Sequence, residues 1–172
     1  HYTQFMVYDL DGDGKAEVAC KTAPGTVDGQ GKYVLMGDDD PNADYRNSKG
    51  QVITGSEYLT VFNGETGAEI TSVAYTPARG SASDWGDSYG GRSERYLACI
   101  AYLDGNKPSL VMCRGYYQRT ALAAYDFDGT NLKQLWVLDD KTSGSNSAYG
   151  QGNHNLSVGD VDGDGCDEIV YG

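Results

Sequence analysis

The sequence predicts an all-β fold, and three observations carry that expectation. A nine-residue aspartate loop occurs twice, each time between short runs of β-prone residues. Glycine-centred turns divide the chain between the two copies at hairpin spacing. No segment sustains helical periodicity. Gly 24 and Tyr 14 against Phe 3 describe the same turn-rich chain with amphipathic aromatics.

The elements follow in order. Residues His1 to Tyr8 alternate loosely and form a strand entering the first aspartate loop, and Val18 to Lys21 leaves it as a second strand. A polar excursion from Thr22 to Ser56 contains Asp38-Asp39-Asp40-Pro41, and a loop this long in a compact domain is a functional feature or a disordered one. Tyr58 to Phe62 and Ala68 to Val73 flank Asn63-Gly64-Glu65-Thr66-Gly67, a hairpin signature. A second polar loop, Thr76 to Glu94, holds Asp84-Trp85-Gly86-Asp87. Strands at Tyr96 to Tyr102 and Ser109 to Arg114 enclose Leu103-Asp104-Gly105-Asn106-Lys107-Pro108, a decayed aspartate loop with too few acids for a metal. Leu122 to Phe127 and Leu132 to Leu138 form another hairpin around Asp128-Gly129-Thr130-Asn131. A last unit opens after the loop Asp139 to Asn153. Each unit supplies about four strands, the content of one propeller blade. A β-propeller is therefore expected, with a β-sandwich as the competing architecture.

The loops read Asp9-Leu10-Asp11-Gly12-Asp13-Gly14-Lys15-Ala16-Glu17 and Asp160-Val161-Asp162-Gly163-Asp164-Gly165-Cys166-Asp167-Glu168. Asp9, Asp11, Asp13 and Glu17 match Asp160, Asp162, Asp164 and Glu168. Three alternate aspartates repel one another unless a cation lies between them, and hard oxygen donors with a glycine at the bend suit Ca²⁺. The backbone carbonyls of Lys15 and Cys166 could add a further oxygen. The closing acid comes at position 9, not 12, and strands follow it, so a hairpin-borne loop is expected in place of an EF-hand. The competing reading is a solvated acidic turn. Asp28 and Asp44, in the first excursion, are further candidates either as ligands or as solvated loop acids.

Net charge is −12, and eight of the 25 acids lie at these ligand positions. Two bound dications would bring the total to about −8 (−12 + 4). Such a surface excludes a nucleic-acid backbone as partner, because phosphates require clustered Lys and Arg. No apolar run approaches a membrane span and no signal peptide is recognised. The chain opens without methionine and closes on Ile169-Val170-Tyr171-Gly172, the pattern expected of a piece of a longer protein. Cys20, Cys99, Cys113 and Cys166 lack C-x-x-C spacing and read as buried free thiols.

Reactive side chains gather at strand ends. Lys21 follows the first outgoing strand. Arg114-Gly115-Tyr116-Tyr117-Gln118-Arg119 occupies the equivalent point after the second, and Gly150-Gln151-Gly152-Asn153-His154 precedes the third unit. Arg, Lys, Tyr and His in one cleft suit an acidic carbohydrate: guanidinium grips carboxylate and aromatic faces cover sugar rings. The alternatives are a structural histidine, ordinary surface charges, and packing roles for Trp85 and Tyr116-Tyr117. No G-x-S-x-G, H-E-x-x-H or P-loop is present, which leaves hydrolase and nucleotide readings without support.

These stretches resemble the rhamnogalacturonan lyases of polysaccharide lyase family 11. The resemblance is carried by His1-Tyr2-Thr3-Gln4-Phe5-Met6 leading into the first loop, and by Ala19-Cys20-Lys21-Thr22-Ala23. It is carried further by Ser83-Asp84-Trp85-Gly86-Asp87-Ser88-Tyr89-Gly90, Arg114-Gly115-Tyr116-Tyr117 and Gly150-Gln151-Gly152-Asn153-His154. It implies an eight-bladed β-propeller of which this chain holds fewer than three blades. Residues 1–172 would be one segment of that catalytic domain, with units at about 1–75, 96–138 and an incomplete 154–172. It implies a secreted, extracellular bacterial enzyme with several Ca²⁺ ions. It also implies β-elimination of the rhamnogalacturonan I backbone of pectin, leaving an unsaturated galacturonate. Such a reaction needs a cation against the carboxylate and a base near C5. The resemblance points to His154 for proton transfer or as a ligand of a cleft Ca²⁺, and to Lys21, Arg114, Arg119 and Tyr116 for substrate contact. A monomer acting on the polysaccharide is expected, with a calcium-stabilised binding or adhesion module as the alternative.

Overall fold

The structure is a computed structural model, and it describes residues 4–142, 149–152 and 154–171. Residues 1–3 of the expected first strand, 143–148 and Asn153 of the 139–153 loop, and Gly172 lie outside the described residues. Among the described residues, ten strands form three antiparallel sheets. The first holds β1 (Phe5–Tyr8), β2 (Glu17–Thr22), β3 (Tyr58–Asn63) and β4 (Glu69–Ala74) in the order 1-2-3-4. The second holds β5 (Ala98–Ala101), β6 (Ser109–Arg114), β7 (Ala121–Phe127) and β8 (Leu132–Asp139) in the order 5-6-7-8. The third pairs β9 (Leu156–Gly159) with β10 (Glu168–Tyr171). The all-β expectation and each hairpin named above are met. Sequence reading missed one element, the single 3₁₀ turn Ala82–Trp85, which is too short to show a period.

Side-chain alternation explains how the sheets stack. Leu110 and Met112 of β6, with Ala123, Tyr125 and Phe127 of β7, face Ala19, Leu59 and Val61 of the first sheet. Their neighbours Val111, Cys113, Leu122 and Ala124 point the other way, toward Leu156, Ile169 and Tyr171 of the third sheet. The second sheet is thus covered on both faces, so all six residues of β6 are buried. Each four-stranded sheet also carries a register shift in its third strand, at Val61/Phe62 and at Ala124/Tyr125. The two units therefore repeat down to a local irregularity.

The described residues make a layered, sandwich-like stack of three sheets and close neither a barrel nor a propeller. No helix among them is long and apolar enough to cross a membrane. All four cysteines are free, but only Cys113 is buried; Cys20, Cys99 and Cys166 are half-buried, which corrects the expectation for those three.

Candidate functional site

The aspartate loops close the β1–β2 and β9–β10 hairpins on matching backbone hydrogen bonds, to which the second loop adds one from the Asp164 amide to Asp160 at 3.1 Å. Asp9 accepts the amides of Gly12 at 2.8 Å and Gly14 at 3.0 Å; Asp160 accepts those of Gly163 at 2.7 Å and Gly165 at 2.9 Å. The glycines hold φ near +80° to +91°, where any side chain would be strained. Glu17 takes the Leu10 amide and Glu168 the Val161 amide, both at 2.9 Å. Oxygens of Asp9, Asp11 and Asp13 lie within 4.8 Å of one another, as do those of Asp160, Asp162 and Glu168. An all-oxygen set this tight fits a hard dication. Burial, then the three neighbouring aspartates, pushes the Glu17 carboxyl up, as crowded negative charge must. Lys15 and Cys166 enter the loops through their amides, bonded to Asp13 and Asp164 at 2.8 Å. The Lys15 side chain turns away to Glu65.

Two other acids expected near metal are occupied otherwise. Asp28 accepts the amides of Gln30, Lys32 and Glu69 at 2.8–3.0 Å, so it closes a loop and joins neither cluster. Asp44 forms a two-point pair with Arg46.

The strand ends expected to carry chemistry lie away from these loops. Glu17 begins β2 and Lys21 lies four residues along it, about 13 Å of extended chain. Around Lys21 sits a buried charge network. Arg114 is fully buried and donates to Glu57 at 2.7 Å and Glu94 at 3.2 Å; Arg79 holds the same two acids at 2.6 Å. Lys21 approaches Glu57 at 3.2 Å, and the Tyr96 hydroxyl donates to both glutamates. Burial acts to raise the Glu57 carboxyl, but Arg114, Lys21 and Arg79 outweigh it and hold the group below its ordinary value. Arg114 is therefore corrected from a substrate contact to a core cation, because its donors are spent inside. Arg119 is likewise committed, gripping Asp139 at two points and stacking 4.1 Å over Trp85. Trp85 is a packing residue, with its indole N–H on the Arg79 carbonyl.

A partly exposed aromatic and basic cluster follows, with Tyr117 and His154 exposed and Arg92, Arg95 and Tyr116 half-buried. His154 Nδ1 meets Arg95 Nη2 at 2.8 Å and its Nε2 meets the Tyr117 hydroxyl at 3.0 Å. A guanidinium can only donate, so Nδ1 accepts and Nε2 carries the proton toward Tyr117. Both ring nitrogens are thus engaged by protein side chains in this arrangement. Tyr116 packs edge-on against the imidazole at 4.8 Å, with Arg95 over its ring at 5.1 Å. Arg92 lies 5.5 Å over Tyr117. Tyr117 is half exposed at φ +61°, a strained conformation for a side-chain-bearing residue, locked by two backbone hydrogen bonds to Gly152. Arg92, Arg95, Glu57 and Glu94 escaped the sequence reading. The only signal available was the density of charge in Arg92-Ser93-Glu94-Arg95.

Residues 1–172 match the family described as rhamnogalacturonan lyase family 11, C-terminal domain. The chain belongs to rhamnogalacturonan lyase family 11. Over its full length it is 62% identical to the rhamnogalacturonan endolyase YesW and 62% identical to the rhamnogalacturonan exolyase YesX, both of Bacillus subtilis (strain 168). It spans 27% and 28% of those two relatives. Among solved structures it superposes with a TM-score of 0.94 on the rhamnogalacturonan lyase PL11 of Bacillus licheniformis, at 62% identity and across 29% of that chain. The exotype lyase YesX gives a TM-score of 0.93 at 61% identity, across 28% of its chain.

Proposed function

We propose that this chain is one wall of a pectin-degrading rhamnogalacturonan lyase, and that the cluster of Arg92, Arg95, Tyr116, Tyr117 and His154 faces the substrate. The observation that carries the reading is the Arg95–His154–Tyr117 chain, which presents a phenol, oriented by an imidazole, beside two guanidiniums. In β-elimination from galacturonate, Arg92 would draw the uronate carboxylate and so acidify the adjacent C5–H, while Lys21, like Arg114, is held in the network beneath by Glu57. The proton leaving C5 would pass to the Tyr117 oxygen, and the phenol's own proton to the departing rhamnosyl oxygen as the C4–O bond breaks and the C4–C5 double bond forms. His154 Nε2–H would hold the phenol oxygen in place. Tyr116, and not the buried Arg114, supplies the apolar face for a sugar ring.

The aspartate loops are proposed to hold Ca²⁺ as fold staples, through Asp9, Asp11 and Asp13 with Glu17, and through Asp160, Asp162 and Glu168 with Asp164. The carbonyls of Lys15 and Cys166 are further candidates. Placed at the hairpin ends opposite the aromatic cluster, these ions would fix strands and take no part in proton transfer. The repeated four-stranded units are proposed to be blades of a propeller completed by the rest of a secreted bacterial enzyme.

The test incubates the whole lyase with rhamnogalacturonan I in calcium buffer and follows the ultraviolet absorbance of the new C4–C5 double bond. Absorbance growth that is lost on substitution of Tyr117 supports the reading. Polysaccharide binding with no product favours instead a calcium-stabilised binding module.

A further inference from the structure

Arg95 sits in the chain between two residues that belong to the buried charge network. On one side Glu94 pairs with Arg79 at 2.6 Å and with Arg114 at 3.2 Å; on the other the Tyr96 hydroxyl donates to Glu57 and Glu94. The Arg95 side chain goes elsewhere, with its Nη2 2.8 Å from His154 Nδ1. Its carbonyl accepts the Gly115 amide at 2.8 Å, which fixes it against the segment that carries Tyr116 and Tyr117. The Tyr116 ring lies 5.1 Å from the guanidinium and 4.8 Å from the imidazole, so one ring buttresses both partners.

We propose that Arg95 is a positioning residue for the elimination, acting through His154 and not on the substrate. The inference rests on the reading of Tyr117 as the group that handles the proton. A phenol oxygen has one hydrogen to give and two positions at which to accept. With Nδ1 accepting from Arg95, the neutral imidazole carries its hydrogen on Nε2 and donates it to the Tyr117 oxygen at 3.0 Å. One accepting position is then filled. The other is left for the proton from C5, and the phenol's own hydrogen is left for the departing oxygen.

The opposite tautomer reverses this assignment. A hydrogen on Nδ1 would meet a guanidinium that can only donate, and Nε2 would become an acceptor. The phenol would then give its hydrogen to Nε2 and withdraw it from the leaving group. Arg95 thus decides which way the hydrogen bond between Tyr117 and His154 runs, and the buried network on either side of it in the chain holds it to that task. The uronate carboxylate is left to Arg92.

The test reads the imidazole nitrogens of the whole lyase by NMR after isotopic labelling of histidine, with His154→Gln to assign the signal. His154 is expected to show a bare Nδ1 and a protonated Nε2. Arg95→Met, which keeps the length and removes every donor, is expected to lose that pattern. A wild-type signal with the proton on Nδ1 overturns the proposal before any variant is made. In the elimination assay Arg95→Met is expected to lower kcat about 10²-fold with KM changed by less than about twofold. Arg95→Lys, which keeps one donating head, should recover about tenfold of that loss. A raised KM at unchanged kcat would make Arg95 a substrate contact and overturn the proposal, and so would equal losses in Arg95→Met and Arg95→Lys. The expected tautomer in a lyase that shows no elimination would instead sink the reading of Tyr117, so the two failures are told apart. Should neither variant fold, the wild-type spectrum decides alone.

Discussion

Glu57 and Arg114 stand 2.7 Å apart across the interface of the two four-stranded sheets, both buried, one just before β3 and the other at the end of β6. Their contact joins two units whose apolar cores already meet, and it does so with charge. Arg79 and Lys21 approach the same carboxylate, and Glu94 completes a network of three cations and two acids. The pair therefore sets how the strand ends beneath Tyr116 and Tyr117 are held.

Glu57→Gln is expected to destabilise the whole lyase by roughly 1–3 kcal/mol, less than the full cost of an orphaned buried charge because Glu94 still pairs with Arg114 and Arg79. Arg114→Met, which removes charge and keeps volume, should cost clearly less than Arg114→Ala if Glu57 retains Arg79. Denaturant unfolding measures both. Equal losses for Met and Ala would mean that the lost charge, not packing, dominates at this point.

The same pair gives a pH dependence of defined sign. The Glu57 carboxyl lies below its ordinary value of 4.5 in the fold, so the unfolded chain binds its proton first on acidification. Its contribution is complete above about pH 4.5 and is lost as pH falls through the lower folded value. The stability gap between wild type and Glu57→Gln should accordingly narrow below pH 4.5. Melting curves at saturating calcium, taken in steps from neutral to acid, measure that gap.

Much of this was legible in the chain. The Asn63–Gly67 and Asp128–Asn131 turns, set between β-branched and aromatic runs, fixed two hairpins to within a residue or two. The aspartate loops were legible because their clustered carboxylates are local, all within nine residues. Arg114 was not. A charged residue beside two tyrosines reads as exposed, and its acids Glu57 and Glu94 lie 57 and 20 positions away, beyond any local pattern. His154 was visible as a reactive residue, but its partners Arg95 and Tyr117 are assembled by the fold from 59 and 37 positions away. Asp28 shows a different limit: its three amide contacts run as far as Glu69, and it joins neither carboxylate cluster, which no local pattern foretells.

Chelation should lower the melting temperature of the whole lyase markedly, since the clustered carboxylates repel once no cation lies between them. Asp11→Asn and Asp162→Asn are each expected to reproduce part of that loss and to reduce the further effect of chelator. Scanning calorimetry with and without chelator reads both. A melting curve indifferent to chelator would remove calcium from both loops.

Gly64 offers a separate probe of the first loop. Its amide donates to the Ala16 carbonyl at 3.1 Å, and a Cβ at this position would fall 2.0 Å from that oxygen. Gly64→Ala must push the β3–β4 turn off the aspartate loop, at a cost of about 1–3 kcal/mol. The calcium midpoint of the first loop should weaken with it while the second loop is unaffected, and calcium titration of the variant separates the two.

Tyr117 and His154 can be ranked by substitution because the imidazole is sandwiched between a donor and an acceptor. Tyr117→Phe keeps the ring under Arg92 and deletes only the hydroxyl that His154 Nε2 contacts. It is expected to lower kcat by about 10²–10³ with little change in KM. His154→Gln can still accept from Arg95 and donate to Tyr117, so it should retain more activity than His154→Ala, which orients neither. If the phenol faces the substrate, Tyr117→Phe should be as damaging as His154→Ala, and His154→Gln should fall between them and wild type. Wild-type turnover by Tyr117→Phe, with His154→Ala still inactive, would move the proton transfer from the tyrosine to the histidine itself.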